Sequence, residues 1–135
     1  MAYIVVLCLS ATVLTIFAVW HKRFGGYMPE PYRSRPCQGF MWKRFFPLSS
    51  DDEIRTFLHQ FADAFGYRNE QKLQVQPEDR IFEVYRSEYP RTGGIDGLEL
   101  ETFALDIEKK YGINFTALWS ETLTFGGLYA VCHAV

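Results

Sequence analysis

In three stretches of this chain, apolar residues recur at steps of three and four, and each stretch carries its own start and stop signals. In the first, Ile54, Leu58, Phe61, Ala62 and Phe65 share one face of a helix. Ser50 with Glu53 three residues on forms a capping box ahead of that run, and Gly66 ends it. In the second, Ile95–Phe115, the shared face is Leu100, Phe103, Ala104, Ile107 and Tyr111. Asp96 is placed to cap this helix, with Glu99 at the capping-box position. Glu99 and Glu101 crowd its first turns, Lys109 and Lys110 fill its last, and Gly112 supplies a left-handed stop. In the third, Thr124 caps a helix that turns Phe125, Leu128, Tyr129 and Cys132 inward. Gly126 and Gly127 cost it about 1 kcal/mol each relative to alanine, which predicts a short helix. Between the last two, Asn114–Glu121 reads as an irregular or single-turn piece.

Elsewhere the pattern is weaker. Residues 66–95 form a long connection in which Ile81, Phe82, Val84 and Tyr85 suit a short helix or extended strands; Val, Phe and Tyr lean it toward strand. Residues 21–49 hold Pro29, Pro31, Pro36 and Pro47 with Gly25, Gly26 and Gly39, so no periodic run survives and a linker is expected. Its rings, Phe24, Tyr27, Tyr32, Phe40, Trp42, Phe45 and Phe46, alternate with basic residues. That pattern suits either the headgroup layer of an anionic leaflet or packing onto the following domain; Phe40–Phe46 is the part that best suits membrane contact.

Tyr3–Trp20 is eighteen residues without a charge. As a helix it would be about 27 Å long, close to the roughly 30 Å hydrocarbon core of a bilayer. Aromatic Tyr3 and Trp20 bracket it, and His21-Lys22-Arg23 follow. No Lys or Arg precedes the apolar run, and Ala18-Val19-Trp20-His21 is a poor cleavage site, so an uncleaved anchor is expected rather than a signal peptide. The basic residues all follow the span. The expectation is therefore a single-pass inner (cytoplasmic) membrane protein with its N-terminus outside and residues 21–135 in the cytoplasm.

Charge sharpens this division. Residues 1–50 hold six Lys/Arg against Glu30, a balance of +5, whereas residues 51–135 hold eight basic and fifteen acidic residues, a balance of −7. An acidic domain behind a basic arm argues against nucleic-acid binding, which needs a basic face. Cys8, Cys37 and Cys132 are too widely spaced for a metal pair, and their odd number forms no disulfide framework. His21, His59 and His133 lie in no recognisable catalytic context, and no phosphate loop or zinc spacing is present. Neither a cofactor nor an enzymatic activity is expected.

The order of residues in the second helix carries a resemblance. Asp96-Gly97-Leu98 followed by Glu99, then Phe103, Ile107, Glu108, Tyr111 and Phe115, resembles the central helix of acyl carrier proteins, where the motif reads Asp-Ser-Leu followed by an acid. It also resembles a small bacterial carrier-like family of uncharacterised function with Asp-Gly at this point. The likeness is fair over 50–66 and 122–132, weak between, and absent from residues 1–49. It implies a mainly α fold, a small acyl-carrier-like helical bundle over 50–135, following the span over 3–20 and the linker over 21–49. It also implies that the chemistry is missing, because the family's serine carries phosphopantetheine on its hydroxyl and Gly97 has none.

Carrier proteins meet their enzymes through acids and an apolar residue on this helix, so the resemblance implies a partner surface at Asp96, Leu98, Glu99, Glu101, Leu105 and Glu108. Such a surface would dock on a basic patch, for instance that of a carrier-dependent enzyme; Lys109 and Lys110 depart from the family there. The expected function is non-catalytic binding or scaffolding at the membrane face. One alternative is a working carrier in lipid or secondary metabolism, modified at another hydroxyl such as Ser87 or Thr92. The other is a decoy regulator that occupies an enzyme's carrier-docking site.

Overall fold

The computed structural model describes residues 10–16, 26–88 and 97–134. Its helices are α1 (Gly39–Phe45), α2 (Asp51–Ala64), a 3-10 segment (Asn69–Gln74), α3 (Ile81–Glu88), α4 (Leu98–Tyr111), α5 (Phe115–Leu118) and α6 (Phe125–Cys132). Among the described residues no strand forms; Gly26 with Tyr67 and Arg80 with Thr124 make isolated β-bridges. The molecule is mainly α, as the periodicity predicts.

The three periodic stretches fold as helices with the expected buried faces, but the second begins at Leu98 with Gly97 as its N-cap, so the capping box expected from Asp96 and Glu99 does not form there. The Ser50 hydroxyl accepts from the Glu53 amide while the Glu53 carboxylate accepts from the Ser50 amide, which closes the capping box of α2. Ile54, Leu58, Phe61, Ala62 and Phe65 are all buried, together with Phe57. On α4, Phe103 and Ile107 are buried, with Leu100, Ala104 and Tyr111 packed beside them. On α6 the four expected residues are buried, and the Thr124 hydroxyl accepts from the Gly127 amide at 3.0 Å. Gly126 has a specific reason to lack a side chain. Its amide donates to the Pro77 carbonyl at 2.9 Å, and a Cβ would stand 2.9 Å from both that oxygen and the proline ring.

Two expectations are corrected. The lean toward strand at Ile81–Tyr85 gives way to α3, because Ile81, Val84 and Tyr85 are all buried and a helix places positions i, i+3 and i+4 on one side. Burial on one face outweighs the β preference of the separate residues. The linker reading of 21–49 fails from Gly26 onward, where Met28, Tyr32 and Trp42 belong to the core.

Trp42 is fully buried on α1, touches the rings of Phe46, Phe57 and Tyr129, and donates from its indole nitrogen to the Val75 carbonyl at 2.8 Å. Arg35 reaches the Asp79 carboxylate at 2.6 Å, and the same carboxylate oxygen accepts from the Gln76 amide at 2.8 Å. The prolines prevent a long helix there, but they do not prevent burial. Within Phe40–Phe46, favoured above for membrane contact, the rings divide. Trp42 and Phe46 turn inward, while Phe40 and Phe45 remain exposed.

Most of Tyr3–Trp20, with Lys22 and Arg23, lies outside the described residues. Residues 10–16 are helical and exposed throughout. Among the described residues no helix is long and apolar enough to cross a membrane.

Candidate functional site

The entrance of α4 and its outer face are where the sequence places function. Asp96 and Thr92 lie outside the described residues. The N-cap position falls on Gly97, whose φ of +76° is left-handed, and no side chain caps the helix there. L-residues with a Cβ are strained in that conformation, so glycine is required by the backbone as well as being unable to carry an arm. The Gly97 amide, an orphan of the first turn, donates to the Tyr85 hydroxyl at 2.8 Å. Thus α3 supplies the acceptor that an N3 side chain would give the N-cap amide in a capping box.

Beneath this entrance sits a small polar cluster. The Tyr67 hydroxyl donates to the Glu88 carboxylate. Much of the Glu88 side chain reaches solvent, yet partial burial of its carboxyl and the nearby Glu99 charge raise its pKa, with the Tyr67 hydrogen bond opposing them. Glu99 itself is half-buried.

Helical geometry divides the expected partner residues. Leu98 and Leu105, each 59% exposed, stand two turns apart with Glu101 exposed between them, so these three form one outward stripe. Glu99 is half-buried and close enough to Glu88 for its charge to raise that carboxyl's pKa. The Glu108 carboxylate accepts from the Phe115 amide at 3.0 Å and so fixes the start of α5. Lys109, four residues after Leu105, is exposed on the stripe. One continuous patch of all six expected residues is therefore not what the helix presents.

Several other candidate groups are engaged within the fold. The Ser87 hydroxyl donates to the Glu83 carbonyl at 2.7 Å, within its own helix. His133 stacks on Tyr129 at 3.9 Å, and its Nδ1 lies 2.9 Å from the Tyr129 carbonyl. Burial pushes the Cys132 thiol up to about 12 and the Tyr111 hydroxyl to about 12, which keeps both protonated. No group of three His, Cys, Asp or Glu side chains suited to a metal ion occurs among the described residues. Sequence reasoning missed Tyr85 and Tyr67, which hold the entrance; the spacing of Tyr85 from Ile81 was the signal that could have found the former. No protein-family model matches the chain, and neither curated proteins nor solved structures give a significant match.

Proposed function

We propose that this protein is a membrane-anchored, carrier-like binding or scaffolding module that docks a basic protein partner on the Leu98–Glu101–Leu105 stripe. The observation that carries the reading is the state of the α4 entrance. Gly97 occupies the carrier's attachment position in a left-handed conformation, without a hydroxyl. Ser87, the other described candidate for an arm, commits its hydroxyl to a helix carbonyl.

The stripe offers two uncovered leucines beside an acid, a combination suited to a partner with an apolar socket rimmed by Lys or Arg. Membrane anchoring draws support from the uncharged run Tyr3–Trp20 and from Val13, Leu14 and Ile16, each more than 60% exposed. Apolar side chains that the protein leaves uncovered suit a hydrocarbon surrounding. The positive-inside rule then puts the helical domain in the cytoplasm.

Photo-crosslinking from position 105 of the full-length protein, in its own membrane, tests the docking. A discrete adduct that disappears with Glu101→Lys is expected. Absence of an adduct, or one indifferent to that reversal, rejects the stripe as the partner surface. Intact mass after co-expression with a broad phosphopantetheinyl transferase tests the carrier alternative, which requires a covalent adduct that the binding reading forbids.

A further inference from the structure

A second face runs along α2 and the 3-10 segment. At one end Arg68 lies over the Tyr27 ring at 4.3 Å, beside the backbone bonds joining Gly26 to Gly66 and Arg68. Next come His59 and Lys72, which meet on the Asn69 side-chain oxygen at 2.9 and 3.0 Å. Lys72 is close enough to Arg55 that this like charge, after the larger effect of burial, lowers its pKa. Arg55 in turn borders a groove of about 230 Å³ shared with Phe40, Lys43 and Leu73.

The face thus carries exposed rings at both ends, Tyr27 at 55% and Phe40 at 65% exposed, with cations between. Asp51 pairs with Lys43 at 3.5 Å, but Arg55 and Lys72 have no ion-pair partner among the described residues. Two neighbouring cations without an ion-pair partner suit a negatively charged surface, while Asp51, the carboxylate that lines the same groove, is drawn to Lys43.

We propose that this face, from Tyr27 and Arg68 through Lys72 and Arg55 to Lys43 and Phe40, lies flat on an anionic lipid leaflet. The inference rests on the anchored reading and goes beyond it, because it assigns the orientation of the domain. Chain continuity selects a bilayer as the occupant. The uncharged run ends at Trp20, and Gly26 stands at one end of the face. The residues between can span at most about 20 Å, at roughly 3.3–3.6 Å each, so an anchored chain keeps the face near the headgroups. Rings and cations are the chemistry of that layer, the rings entering it and the cations meeting lipid phosphates.

The test is hydrogen exchange of the full-length protein with liposomes of phosphatidylcholine alone, or of phosphatidylcholine with phosphatidylglycerol. Slower exchange in peptides covering 39–45 and 68–74 is expected with the anionic liposomes only. High salt and the double variant Arg55→Glu/Lys72→Glu should each reverse it. Since each cation near an anionic leaflet is worth about five-fold in binding, the double variant should lose at least about twenty-fold. Salt tests the wild type even where the variant misfolds. Equal exchange in both membranes overturns the proposal, as does protection reproduced by inorganic phosphate, which would mark a small-anion site. Flotation separates this from failure of the anchor: protein that floats only with anionic liposomes loses the span and keeps the face, whereas protein that floats with both but shows no difference in exchange loses only the face.

Discussion

Residues 26–49 and helix α4 both deliver large side chains to one core, and they do so by different rules. Helix α4 contributes Phe103 and Ile107 at a spacing that any helix reader finds. The earlier segment contributes Met28, Tyr32 and Trp42 at intervals of four and ten, fixed by turns, a seven-residue helix and the Arg35–Asp79 pair. Burial in the first case follows from a period. In the second it follows from three-dimensional contacts that no period announces, so proline-rich composition is poor grounds for calling a segment peripheral.

The sharpest way to break this comparison is to empty each contribution in turn. Trp42→Ala should cost about 3–5 kcal/mol, as much as Phe103→Ala, since each removes a fully buried ring. Chemical denaturation would read both, and a Trp42 loss below about 1 kcal/mol would return residues 26–49 to the status of a linker. Next in size is Arg35→Ala, which leaves Asp79 without its cation in a largely buried position. A loss of about 1–3 kcal/mol is expected, and Asp79→Ala in the same background should add less than it does alone.

Gly97→Ser should cost about 1–2 kcal/mol in melting experiments, through left-handed strain, and should not make the protein a substrate for phosphopantetheine transfer. A neutral substitution would mean that the entrance relaxes to a carrier-like start. The smallest expected effect concerns pH. Glu88 has its pKa raised in the folded state, so the fold binds that proton more tightly than the unfolded chain does. Its contribution therefore becomes more favourable as pH falls through the folded value, and less so as pH rises. Glu88→Gln keeps an acceptor for Tyr67 and should flatten the dependence of melting temperature on pH from the ordinary glutamate range upward. An unchanged profile would remove Glu88 from the account.

What could be read in advance follows the same division. Caps and stops at Ser50, Gly112 and Thr124 act within one turn of chain, and the structure has them where the residues suggest. Helix α3 carried its period at Ile81, Val84 and Tyr85, but over only eight residues, and the β preference of its members obscured it. At the α4 surface, the outward pair Leu98 and Leu105 follows from helical geometry. The internal uses of Glu108 and Glu99 do not, because they depend on where Phe115 and Glu88 arrive from other elements.

The junction at Gly26 has a mechanical consequence. Gly26 donates to the Gly66 carbonyl at 2.7 Å and accepts from the Arg68 amide at 3.1 Å, which ties the incoming chain to the end of α2. Any pull arriving through the residues before it loads this pair of bonds in parallel before it reaches Met28 and the Trp42 cluster. Gly26 is thereby built into the end of α2, so a load applied at this point is shared with that helix rather than borne by Met28 alone.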